Sequence, residues 1–96
     1  LAIDGVADLF DARWRVMNEA EIFDGNGRVY RPDRVMINRE TKEVVVVDYK
    51  FGEYNEELHQ RYSRQVGRYI RLISDMGYNV RGYLLYAAER RLFSLN

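Results

Sequence analysis

The sequence predicts an α/β domain with a mixed sheet: an antiparallel β-meander, then one long helix, then a further strand. Three observations predict it. Four consecutive valines at 44–47 form a β-branched run of the kind that is covered on both faces. The string Asp24-Gly25-Asn26-Gly27 is a strong hairpin signal between two strand-like stretches. Leu58, Tyr62, Val66, Tyr69, Ile73 and Met76 recur at helical spacing and form one apolar face.

Taken in order, residues 1–12 are mixed and read as a short helix or the tail of a helix that begins upstream. Residues 14–23 alternate and run into the turn at 24–27, with Trp14 placed to anchor the core edge. Residues 29–38 form the second strand, residues 39–42 a polar connection, and residues 44–49 the third strand. Short turns between them dictate antiparallel neighbours. Residues 53–76 are helical, with Asn55 as N-cap, Glu56 and Glu57 in the first turn, and Gly77 as the stop. Residues 80–87 form a fourth strand and residues 92–95 a short fifth.

With 96 residues, the chain is long enough for one domain and one modest core. Hydrophobic residues are 47% and charged residues 31% of the whole, the balance of a soluble globular domain. There is no cysteine, which excludes a disulfide framework and a thiolate metal site. Any bound metal must then use oxygen ligands or the single His59, and oxygen ligands favour Mg²⁺, Mn²⁺ or Ca²⁺. No apolar stretch is long enough to cross a bilayer and no signal peptide is visible, so a cytoplasmic setting with no membrane partner is expected. The first residues are Leu1-Ala2-Ile3-Asp4-Gly5, without an initiator methionine, which points to a C-terminal piece of a larger protein. No G-x-x-x-x-G-K-[ST] string occurs, so ATP hydrolysis is not expected of this segment.

The chemistry concentrates in Pro32-Asp33 and Asp48-Tyr49-Lys50. Strand parity puts Val44, Val46, Asp48 and Lys50 on one face and Val45, Val47 and Tyr49 on the other. A lone Asp-X-Lys usually marks solvated side chains or a weak surface ion pair. Here it closes a strand that should be flanked by core. Pro32 cannot donate a ladder hydrogen bond and marks a strand end, edge or bulge. In suitable register, Asp33 on the neighbouring strand and Asp48 share one divalent metal, with Lys50 beside them. Two carboxylates, a hard cation and a lysine fit phosphodiester hydrolysis, where charge on phosphorus must be neutralised and a water activated.

The strings Arg31-Pro32-Asp33-Arg34-Val35, then Val47-Asp48-Tyr49-Lys50-Phe51-Gly52, then Gln65-Val66-Gly67-Arg68-Tyr69 resemble the PD-(D/E)XK nuclease superfamily, and most closely its RecB-type branch. The resemblance spans about residues 14–87. It implies a restriction-endonuclease-like core and a Mg²⁺- or Mn²⁺-dependent DNase, more an exonuclease than an endonuclease. In that branch such domains are joined to a helicase motor and act in DNA-break repair and recombination. By the same resemblance Asp33 and Asp48 would be metal ligands, together with the Tyr49 carbonyl. Lys50 would be the catalytic lysine, and Gln65 and Tyr69 would stand beside the site on the helix. Glu19 would match the family's strand-borne glutamate, with Glu21 on the same face as its rival and a solvated strand face as the plain alternative. Phe51 replaces the family's usual threonine. The family's upstream helical motif is not evident before residue 14, which leaves the activity of the fragment alone open. The alternative is a DNA-binding or scaffold module that kept the fold and lost catalysis.

Net charge is zero, so any DNA-binding surface must come from distribution rather than total. Arg61, Arg64, Arg68 and Arg71 form one helical stripe, centred roughly 130° from the apolar face. Such a stripe grips phosphates or is a solvated face paired with carboxylates on other elements. Tyr62 and Tyr69 fall on the apolar face and read as core. His59 reads as an exposed helix residue. Tyr83 and Tyr86 fall on opposite faces of their strand, with at least one of them exposed.

Overall fold

In the computed structural model, residues 14–18 and 20–96 are described. The proposed helical segment at 1–12 and Glu19 lie outside them. The elements are β1 (Arg15–Asn18), β2 (Ile22–Phe23), β3 (Val29–Tyr30), β4 (Arg34–Asn38), β5 (Glu43–Lys50), α1 (Glu56–Asp75), β6 (Asn79–Tyr86) and β7 (Arg91–Ser94). A five-stranded sheet has the order β1-β4-β5-β6-β7, and β2 and β3 make a separate two-stranded ribbon. The β1–β4, β4–β5 and β6–β7 pairs are antiparallel, whereas β5 and β6 are parallel. The domain is therefore α/β with a mixed sheet. Since β5 and β6 run parallel, the chain between them must cross over, and α1 is that crossover.

The two expected N-terminal strands, 14–23 and 29–38, are each split. Each contributes one piece to the main sheet and one to the β2–β3 ribbon. On the second strand the break falls at Pro32, which has no N–H for a ladder. The turn between the pieces forms at 24–27. Asp24 Oδ1 accepts the backbone N–H groups of Asn26 (2.8 Å) and Arg28 (3.0 Å), and Gly27 sits at φ +84°, where a side chain is disfavoured.

The β5 valines divide as parity requires. Val44 and Val46 join Val35, Val66, Tyr69, Ile73, Val80, Leu84 and Tyr86 in the core under the helix. Val45 and Val47 join Met36 and Leu85 on the opposite face, with Trp14, Tyr49, Tyr83 and Leu92 packed around them. Tyr83 and Tyr86 do lie on opposite faces, but neither is exposed: Tyr86 is buried and Tyr83 half-buried.

The helix begins at Glu56, three residues later than the expected 53. Asn55 is the N-cap: its side chain accepts the Leu58 N–H at 3.1 Å. The cap, and not the start of the apolar period, sets the first turn. Met76 is the C-cap and is 57% exposed, so the buried stripe is Val66, Tyr69 and Ile73, narrower than the periodicity indicates. Gly77 follows at φ +96°, with its N–H on the Ser74 carbonyl at 2.9 Å.

Candidate metal and phosphodiester site

Asp33 follows Pro32 at the break before β4, and Asp48 lies near the end of β5. The β4–β5 register pairs Arg34 with Val47, so continuing one step past the ladder brings Asp33 opposite Asp48. There each carboxylate reaches across to the other strand's backbone. The Asp33 N–H donates to Asp48 Oδ1 at 2.9 Å, and the Tyr49 N–H donates to Asp33 Oδ2 at 2.8 Å. Each acid thus completes the ladder where regular pairing stops. One oxygen of each carboxylate stays outside these two bonds.

Asp48 is 3% exposed and is the sole buried charged or polar residue among those described. Burial pushes its carboxyl above the ordinary range, and the neighbouring Asp33 charge adds to the rise. The Asp33 N–H and the Lys50 charge work the other way without reversing it. Lys50 shares the face of Asp48, as parity predicts. Its Nζ lies 4.0 Å from Asp48 Oδ2 and 4.1 Å from the centroid of the Tyr62 ring. Tyr62, expected in the core, is half-buried and serves as the aromatic floor under this ammonium.

The helix places Gln65 and Tyr69 one turn apart on the same side. Tyr69 is 2% exposed, and the Gln65 side chain stands beside its hydroxyl and works to lower its pKa. Burial, followed by the Asp48 and Asp33 charges, pushes its hydroxyl up to about 12. It therefore stays protonated at any ordinary pH and can act only as a neutral hydrogen-bonding group. The three separated strings thus meet at one end of the sheet. Glu21 does not join them. It pairs with Arg31 at 3.2 Å, and among the described residues no group of three or more acids or histidines converges on a metal position.

In the arginine stripe, Arg61, Arg64 and Arg71 are exposed, and none of the carboxylate pairs formed among the described residues involves the stripe. Arg68 stands over the Tyr30 ring, 5.8 Å from its centroid.

His59 does not sit on an exposed helix face as its position in the helix suggests. It is half-buried, and its Nδ1 lies 2.9 Å from the Tyr86 hydroxyl. Its ring packs among Tyr54, Tyr86 and Phe93, with centroids 5.1, 5.7 and 4.5 Å away. The first turn of α1 crosses the end of β6 and the β7 strand there. No periodicity within the helix signals those partners, which come from residues 27 and 34 positions later in the chain.

No protein-family model matches the chain, and no curated protein matches it.

Proposed function

We propose that this chain is a metal-dependent deoxyribonuclease domain of the PD-(D/E)XK superfamily, RecB-type, hydrolysing DNA phosphodiester bonds. The proposal extends to a restriction-endonuclease-like core and to the nuclease part of a helicase–exonuclease that processes broken DNA. The observation that carries it is the reciprocal clasp of Asp33 and Asp48, with Lys50 beside Asp48. Two carboxylates 15 positions apart in sequence are fixed by each other's backbone, and one of them is buried, with its carboxyl pushed above the ordinary range.

The donor set suits a hard divalent cation. It offers only oxygen, and each carboxylate keeps one oxygen outside the clasp. Asp33, Asp48 and the Tyr49 carbonyl would hold Mg²⁺ or Mn²⁺, which would acidify a water and polarise the phosphoryl oxygen. The chain's own groups supply the rest. Lys50 presents positive charge where negative charge develops on the phosphoryl group. Tyr69, held protonated and standing beside Gln65, positions the helix side of the site. Arg61, Arg64, Arg68 and Arg71 face the backbone of the DNA.

The test is calorimetric titration with Mn²⁺ together with cleavage of linear single- and double-stranded DNA in Mg²⁺ or Mn²⁺. We expect Mn²⁺ binding that disappears in Asp33→Ala, and cleavage that disappears in Asp48→Ala and Lys50→Ala. Cleavage surviving both substitutions refutes the mechanism. DNA binding without any Mn²⁺ binding assigns the chain instead to a DNA-binding module with the same fold.

A further inference from the structure

A concavity of about 290 Å³ beside the proposed site is lined by Tyr30, Arg61, Arg64, Gln65 and Arg68. It spans β3 and α1. Arg71, the fourth arginine of the stripe, is not part of its wall. Arg61 and Arg64 have no carboxylate partner among the described residues, so the concavity carries three positive charges and no negative one in its lining. Like charges one helical turn apart disfavour the free helix by a few tenths of a kcal/mol per pair, and a bound anion would relieve that.

The walls are held in place. The Tyr30 hydroxyl donates to Asp24 Oδ2 at 3.2 Å, and its ring meets Tyr69 edge-on, centroids 6.2 Å apart at 75°. The Gln65 side chain stands beside the Tyr69 hydroxyl. Two residues of the wall therefore also touch Tyr69, which adjoins the Asp33–Asp48 pair.

We propose that this concavity is a subsite for the terminal phosphate monoester of a nucleic-acid strand. An internal phosphodiester carries one negative charge, whereas a terminal phosphate carries about 1.5 to 2 at neutral pH. Three arginines lining one hollow match the charge of the dianion, and forked guanidinium donors suit its additional oxygens. This inference rests on the nucleic-acid reading of the site, and it gives that site a way to recognise a strand end rather than a strand interior.

The experiment measures binding of short single-stranded oligonucleotides by fluorescence anisotropy in EDTA. The oligonucleotides carry a 5′-phosphate, a 3′-phosphate or hydroxyls at both ends. One phosphorylated form should bind about tenfold or more tightly than the hydroxyl form, as expected for one or two added charge-assisted contacts; which form does so identifies the end. Arg64→Gln should abolish the preference. Arg71→Gln should weaken all three probes alike and leave their ratio intact. Equal affinity for all three probes overturns the proposal, as does loss of the preference in Arg71→Gln to the same degree as in Arg64→Gln. No metal is present, so the outcome is separate from cleavage. An end preference in a chain that never cuts DNA would keep the subsite and remove the nuclease.

Discussion

Replacing Lys50 with Met should destabilise the metal-free protein by an amount that depends on pH. The Lys50 ammonium lies 4.0 Å from Asp48 Oδ2, and their side chains are 20% and 4% exposed. At that separation, an effective dielectric constant of about 20 gives a gross attraction of about 4 kcal/mol. The partial exposure of Lys50 and the option for Asp48 to take up a proton reduce what is observed to about 1–3 kcal/mol. Besides burial, the Asp33 N–H, the Asp33 carboxylate and Lys50 act on Asp48. Because its carboxyl is raised by burial, Asp48 favours the folded state most when protonated, and that contribution falls as pH rises through its folded value. Removing Lys50 raises the carboxyl further and deepens the fall. The difference between wild type and Lys50→Met is therefore largest at pH 8 and shrinks towards pH 4. A smaller pH-independent remainder, about 0.5–2 kcal/mol at most, reflects the lost ammonium–Tyr62 contact, since Met keeps the apolar stem over the ring. The assay is urea denaturation in EDTA at both pH values, or thermal melting, where 1 kcal/mol corresponds to about 4–8 °C for a domain of this size. An equal loss at pH 8 and pH 4 would refute the reasoning, because it would mean that Lys50 does not act on a charged Asp48.

Three further outcomes are expected. Gly82→Ala should cost about 1–3 kcal/mol by overpacking, because the new Cβ would stand 2.5 Å from Ile70 Cδ1 and 2.8 Å from Val66 Cγ1; an unchanged melting temperature would show that the helix lifts off β6 at no cost. Asn55→Ala should lose about 1 kcal/mol with the N-cap bond, whereas Asn55→Ser should keep most of it, as read by circular dichroism during melting. Addition of Mn²⁺ should raise the melting temperature in proportion to the logarithm of its concentration above Kd, and Asp33→Asn should remove that rise.

Legibility varied by the range of the interaction. The valine run predicted β5 and the division of its side chains, because a period of two is local. The helix stop at Gly77 and the Asp24 turn were readable for the same reason. The partnership of Asp33 and Asp48 was inferred from chemistry, but its form was not: hydrogen bonds from each acid to the other strand's backbone depend on where the ladder ends. The split of the first two strands was foreshadowed only by Pro32. His59 escaped entirely, since its environment is assembled by β6 and β7. The narrowing of the helix stripe also came from outside the helix, because it depends on how far the sheet extends beneath Met76.

The Asp33–Asp48 clasp ties two properties that proteins usually keep apart. A slip of β4 against β5 by one residue would exchange Val35 and Met36 between the two faces of the sheet and would part the two acids in the same step. Site and core are therefore alternative readouts of a single alignment. A partly ordered chain cannot present half a site, and a cation that prefers both acids together would act as a proofreader of strand register during folding.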